Sequence, residues 1–235
     1  MTEEPPALGR PRDPLLERRA LEATIVVYAR HGWSGFTFGK VAAEARVGKS
    51  SLYLRWPTKT DLLAAAFDEF DAFFFHGYGA LEDLPFAERM RRLIRHRLAL
   101  YFTPAGLAVI RLFVEYRSDP DEMGQIFDRS VGMAVRRTRK LLETAIDRGD
   151  LVRETSVVHL GDAIEGALII HALSTPNPLR ERAIENLDTY TTQLAERTLG
   201  PWLTDKAVLE CGYCTVGVAA GVPAARRRGL AEHPT

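Results

Sequence analysis

FTFGKVAAEARVGKSSLYLRWPTKTDLL, residues Phe36 to Leu63, reads as two short helices joined by a tight turn. Thr37 suits a helix N-cap, because its hydroxyl can accept from an orphan backbone N–H, and Val41, Ala42 and Ala45 recur on the side that such a helix buries. Arg46, Val47 and Gly48 make the turn. The spacing assigns the unusual backbone geometry of the corner to Gly48 and the apolar plug beneath it to Val47. A second helix is predicted from Lys49 to about Trp56, with Leu52 and Trp56 facing inward. Lys49, Ser50, Ser51, Tyr53 and Arg55 are left outside, a set of donors, acceptors and a ring suited to base edges and phosphates. The pattern implies a helix-turn-helix that reads DNA.

Two lysines sharpen that expectation. Lys49 and Lys59 each fall in the first turn of a predicted helix, where the positive end of the macrodipole disfavours a cation unless an anion sits nearby. A helix start plus a lysine makes a phosphate site stronger than either alone. Pro57 stops the second helix, and Thr58 caps the next with Asp61 three residues on.

The run VAAEARVGKSSLYLRWPTKTDLL resembles the DNA-binding signature of TetR-type transcriptional regulators. That family repeats a Gly followed five residues on by Thr or Ser, here Gly32 and Thr37, then VA.EA.V, then LY with an aromatic three residues past the Tyr and a Lys three beyond it. Leu52, Tyr53, Trp56 and Lys59 match the later positions. Leu54 replaces a bulky, usually aromatic residue and Arg55 a frequent histidine. By resemblance, Thr37, Lys49, Ser50, Ser51, Tyr53, Leu54, Arg55 and Lys59 map to DNA-touching positions. More loosely, LAVIRLFVEYRSDPDEM and GDAIEGALIIHAL look like the sixth and eighth helices of such regulators. The resemblance implies a homodimer through the last two helices, Ser156 to Ser174 and Leu179 to Leu199. Ala163, Ala167, Ile170, Leu187, Tyr190 and Leu194 add apolar surface there beyond one core stripe. Two-fold symmetry would place the Lys49–Trp56 helices in successive major grooves of a pseudo-palindromic operator, with the helix from Lys59 to Phe75 as the lever that an effector moves.

Length and composition agree. The chain has 235 residues and 46% hydrophobic content, ample for a core. The amino terminus, MTEEPPALGRPRDP, is acidic and proline-rich, and no run of eighteen apolar residues exists, so neither a signal peptide nor a membrane span is expected and the cytoplasm is the default. The net charge is zero but uneven: +4 over residues 1–60, −5 over 61–204 and +1 beyond. A basic head on an acidic body fits a DNA module joined to a small-molecule domain.

Strand signals are nearly absent, and amphipathic runs of helical period follow one another between prolines and glycines, which makes the chain all-helical. Helices are predicted from Pro14 to His31, burying Leu21, Ile25 and Tyr28, and over Pro85–Phe102, Pro104–Arg117, Pro120–Arg148, Ser156–Ser174 and Leu179–Leu199. The expected organisation is a flexible arm (1–13), the helix-turn-helix domain (14–58), a helical ligand-binding and dimerisation domain (59–204) and a disordered tail (205–235). The tail holds Cys211 and Cys214, a lone CxxC without the ligands or context of a zinc or redox site.

Catalytic and cofactor motifs are missing. Gly48-Lys49-Ser50 resembles the end of a P-loop, but position 43 is Ala43 instead of glycine and a helix precedes it. His159 and Asp162 fall away from the apolar stripe of their helix. No catalytic residue, cofactor or metal ligand is assigned. Polar residues inside apolar stripes mark a candidate effector pocket instead: Arg97, Arg111 and His171, with Phe74, Tyr101 and Phe127 among the aromatics on nearby helices. For each a plainer reading stands beside it, since Glu115 can neutralise Arg111 one turn away, His171 can be a core or interface residue, and the aromatics can fill a core. The reading is a ligand-responsive repressor, released from its operator by a small apolar or aromatic effector that carries an anionic or hydroxyl group opposite Arg97. A DNA-binding factor without effector and an enzyme with its site in the helical body are the alternatives.

Overall fold

A computed structural model describes residues 14–76 and 81–210, with the backbone alone at 14 and 71–76. In chain order the helices are α1 (Pro14–Gly35), α2 (Phe38–Ala45), α3 (Lys49–Tyr53), α4 (Lys59–His76), α5 (Phe86–Tyr101), α6 (Pro104–Ser118), α7 (Pro120–Phe127), α8 (Met133–Asp147), α9 (Val157–Ser174), α10 (Arg180–Glu185), α11 (Leu187–Thr198) and α12 (Asp205–Glu210). No strand occurs among the described residues, only one isolated antiparallel bridge between Leu151 and Leu203. The all-helical expectation holds.

Packing sorts the helices into two compact units. The first contains α1–α4, α6 and α7. Leu21, Ile25 and Tyr28 of α1 are buried, as their spacing indicates. Tyr28 meets Phe36 and Phe67 edge-on, with centroids 6.2 and 5.9 Å away. Helix α1 runs past His31 to Gly35, and Gly32 bends it with φ 64° and ψ −177°. A side chain there would collide with α6: an added Cβ would sit 2.8 Å from Glu115 Oε1 and 3.0 Å from Arg111 Nη1.

The second unit holds most of α5 and α8 with α9–α12. Leu160, Ile164, Leu168 and Ala172 form the buried stripe of α9, and Leu187, Thr191 and Ala195 that of α11. Leu187 thus belongs to the core and not to the extra apolar surface predicted for it. Ala163, Ile170 and Leu173 remain exposed, while Ala167, Tyr190 and Leu194 are half-buried.

Two predicted helices are interrupted. Pro120–Arg148 is split by a π-turn at Asp128–Gly132. The Ser130 hydroxyl donates back to the Ile126 carbonyl at 2.9 Å, competing with the regular ladder, and Gly132 lends the turn little helical preference. Leu179–Leu199 opens as a short 3-10 turn and breaks at Asn186, whose side-chain amide donates to the Arg182 carbonyl at 2.7 Å. The predicted tail also starts too early. Asp205–Glu210 is helical, Ala207 is buried, and Lys206 pairs with the buried Asp150 at 3.1 Å. Residues 1–13 and 211–235, including Cys211 and Cys214, lie outside the described residues.

Thr103 caps α6, accepting from the Gly106 N–H at 3.2 Å, with Pro104 in the first turn. This cap presses the first turn of α6 against the end of α5, leaving 2.3 Å between an added Cβ at Gly106 and the Leu100 carbonyl oxygen. Gly106→Ala is therefore expected to cost about 1–3 kcal/mol, read as a lowered melting temperature. An unchanged melting curve would contradict this close approach.

Candidate nucleic-acid interface

The helix-turn-helix is assembled from local rules with one surprise. The Thr37 hydroxyl accepts from the Lys40 N–H at 3.4 Å, and Phe38, Val41, Ala42 and Ala45 are the buried face of α2. The corner, however, is not made by Gly48. Gly48 has φ −68° and ψ 134°, an extended conformation open to any residue, whereas Arg46 takes the left-handed one at φ 55°. That conformation costs an L-residue about 1–2 kcal/mol. It is held by the Arg46 N–H on Ala43 O at 3.3 Å and the Val47 N–H on Ala42 O at 3.0 Å, which close the α2 carboxyl end. Helix α3 is shorter than predicted, ending at Tyr53, but Leu52 and Trp56 are both buried as its inner face.

Outside, Thr37, Lys49 and Ser50 are exposed and Ser51 is half-buried. Tyr53 lies flat on Phe38 with centroids 4.2 Å apart, so its ring is aimed, and Lys49 Nζ sits 5.6 Å from that ring. Leu54, at 86% exposure, touches little of its own protein. Arg55 folds back: Nη1 donates to Ser51 O at 3.0 Å, and Nε is buried without a hydrogen-bond partner. The Thr58–Asp61 capping box forms in both directions, with Asp61 N–H to Thr58 Oγ1 at 3.0 Å and Thr58 N–H to Asp61 Oδ2 at 3.1 Å. It opens α4, where Lys59 Nζ lies 3.6 Å above the Trp33 ring and 3.5 Å from the Trp33 carbonyl.

Trp33 is bonded in turn to α6. Its N–H donates to Glu115 Oε1 at 2.7 Å, and the Tyr28 hydroxyl donates to Glu115 Oε2 at 2.5 Å. Arg111, predicted in the effector pocket, donates from Nε to Ala29 O of α1 at 2.7 Å. Burial first, then the bond to Glu115, drives the Tyr28 phenol far above its ordinary value. Trp33, Tyr28 and Glu115 escaped sequence reasoning as a group because their partners are more than eighty residues apart in the chain.

The other predicted pocket residues have separate partners. Arg97, with 16% of its side chain exposed, is 3.8 Å from Glu165 on α9. Tyr101 is buried. Phe127 stacks on Tyr116 at 4.0 Å and meets Phe113 edge-on at 5.5 Å. His171 stacks on Tyr190 at 3.9 Å, and burial pushes the imidazole down and the phenol up from their ordinary values. The side chain of Phe74 lies outside the described residues.

A capped helix, a tight corner and a short helix with its polar face outward, all clamped on a third helix, define a helix-turn-helix DNA-binding protein. Residues 20–66 match the family of bacterial regulatory proteins of the tetR type, and residues 85–190 match the tetracyclin repressor-like C-terminal domain. The chain belongs to the TetR family and is a DNA-binding transcriptional regulator. Uncharacterized HTH-type regulators of Mycobacterium tuberculosis and Mycobacterium bovis are 26% identical over 185 residues, spanning 76% of this chain and 88% of theirs. A putative fatty acid metabolism regulator of Clostridium perfringens superposes with TM-score 0.64 at 18% identity, over 80% of this chain and all of its own. The regulator FadR of Bacillus subtilis in complex with stearoyl-CoA gives 0.60 at 18%, over 76% and 95%. These structures share the fold.

The turn geometry makes an inverted glycine prediction. Gly48→Ala is expected to be tolerated, the new methyl lying 3.6 Å from Ser51 Oγ, while Arg46→Gly is expected to stabilise by about 1 kcal/mol through relief of the left-handed strain. Thermal denaturation of both variants checks this, and a larger loss for Gly48→Ala than for Arg46→Gly would refute it.

Proposed function

We propose that this protein is a ligand-responsive repressor that binds a pseudo-palindromic operator as a homodimer and is released by a small, largely apolar effector. The observation that carries the proposal is the outward face of α3 and of the first turn of α4. There Lys49, Ser50, Ser51, Tyr53, Leu54, Arg55 and Lys59, with Thr37 at the start of α2, offer charge, donors and one apolar tip on a rigid scaffold. We assign phosphate contacts to Thr37, Lys49, Ser50, Tyr53 and Lys59. Leu54, Ser51 and Arg55 are assigned to base edges, Leu54 against a thymine methyl and Arg55 after release from Ser51.

The dimer reading draws on α9. It is 18 residues long with mean hydropathy 1.3 and only 22% buried, enough by length and composition for a membrane span, yet it carries Asp162 and Glu165. An exposed face on which Val158, Ala163, Ile170 and Leu173 are interspersed with His159 and Asp162 fits a second copy of the same helix better than lipid. We assign residues 14–58 to DNA binding and 59–204 to effector binding and dimerisation, and place the protein in the cytoplasm without catalytic activity.

Phe74, Arg97, Tyr101, Arg111, Phe127 and His171 are proposed for the effector. Glu165 already offsets the charge of Arg97, which favours a ligand with a hydroxyl or a weakly charged group over a strong anion. The stearoyl-CoA held by the Bacillus subtilis neighbour supports a long apolar part.

Selection of bound fragments from genomic DNA tests the function, with a pseudo-palindrome as the expected product. Lys59→Ala should weaken binding to every duplex and reduce the salt slope by about one unit per half-site. Ile170→Glu should give monomers by light scattering and abolish tight operator binding. A parent protein that binds no duplex at low salt would end the proposal.

A further inference from the structure

We infer that Glu115, on α6, is a positioning residue for the DNA-contacting Lys59, acting through Trp33. The inference rests on the proposal that Lys59 meets a phosphate, and it explains why that lysine is held ready.

Lysine is a poor anchor when free, since its four-carbon stem loses much rotamer freedom once its ammonium is fixed. In this chain the stem is already fixed. Nζ sits 3.6 Å over the Trp33 ring and within 3.5 Å of the Trp33 carbonyl, so one residue supplies both a cation–π face and an acceptor. Neither contact uses up an ammonium that has three donors, and a phosphate can take those that remain.

Trp33 stays in place only if its own backbone does. It follows Gly32, at φ 64°, and a glycine has so many backbone conformations open to it that one of them is kept only by contacts around it. Glu115 holds it, accepting from the Trp33 N–H at 2.7 Å. The carboxylate is itself fixed by the Tyr28 hydroxyl, and Arg111 pins the same turn of α1 through Ala29 O. Trp33 therefore has its N–H on α6 and its carbonyl on Lys59. A shift of α6 along α1 loosens the first and must disturb the second.

A competing account gives Glu115 a structural role only, balancing Arg111 and tying two helices. The two differ in sign. Removing a carboxylate from the DNA-binding unit by itself lessens repulsion of phosphates and strengthens binding, whereas loss of positioning weakens it.

The full-length protein is titrated with its selected operator over a salt series, alongside melting temperatures. Lys59→Ala, Glu115→Ala, their double variant, Glu115→Gln and Trp33→Leu are compared. Glu115→Ala and Trp33→Leu are expected to lose about threefold to tenfold in affinity and about one unit of salt slope per half-site, as Lys59→Ala does. The double variant should be no weaker than Lys59→Ala alone. Glu115→Gln keeps one acceptor oxygen for the Trp33 N–H, while the Tyr28 hydroxyl can turn to accept from the new amide, so this variant should bind like the parent. A parent-like slope for both Glu115→Ala and Trp33→Leu, or additive losses in the double variant, overturns the inference even where Lys59→Ala shows its effect. Trp33→Leu decides alone if Glu115→Ala does not fold. A Lys59→Ala protein indistinguishable from the parent removes both the lysine contact and the relay, while the regulator reading stands as long as the parent binds its operator.

Discussion

The carboxylate of Glu115 is the point on which the amino-terminal unit turns. Two α1 donors, the Tyr28 hydroxyl and the Trp33 N–H, end on its two oxygens, and Arg111 from the same face of α6 takes the Ala29 carbonyl. Hydrogen bonds to a charged group contribute about 1.5–3 kcal/mol each, so the group outweighs any single apolar contact along α1. It also sets geometry. Without Gly32 at positive φ the Trp33 N–H could not face Glu115, and any side chain at 32 would strike both Glu115 and Arg111. Everything downstream inherits its direction from that bend, from Phe36 in the core to Thr37 at the α2 cap.

That constraint illustrates what a sequence reveals and what it hides. Thr37, Leu52, Trp56 and the Thr58–Asp61 box were legible because each acts within four residues of its partner, and period and capping rules span that distance. The corner differs from its expected place for an equally local reason. Glycine tolerates a left-handed backbone, but tolerance is not use, and two carbonyls at the end of α2 hold Arg46 in that conformation instead. The breaks at Ser130 and Asn186 were hidden because a side chain that bonds its own helix carbonyl leaves the apolar period almost intact.

The polar residues inside apolar stripes behaved differently from one another. Arg97 and Arg111 look alike on a helical wheel, each a cation among leucines and valines. Arg97 is balanced by Glu165 on another helix, whereas Arg111 bonds a backbone carbonyl of α1. A buried cation requires a partner, and the wheel identifies that requirement without identifying the partner. Arg55, two residues past the end of α3, follows the same logic only in part, since Nη1 donates to Ser51 O while Nε is buried without a partner.

A ligand changes an equilibrium only through interactions that differ between two states. The outward side of the helix-turn-helix is polar apart from Leu54 and the Tyr53 ring, so it offers little to a ligand that is not itself charged. Helix α6 presents Phe113 and Tyr116 against Phe127 on α7 and, on the same fifteen-residue rod, Arg111 and Glu115 against α1. Over fifteen residues the i→i−4 hydrogen bonds couple one end of the helix to the other. Aromatic stacking adjusts by sliding at small cost, but a charged hydrogen bond to a fixed N–H weakens steeply with distance and angle. The soft contacts of α6 thus face α7 and the stiff ones face α1, so a displacement of this helix is absorbed on one side and felt on the other.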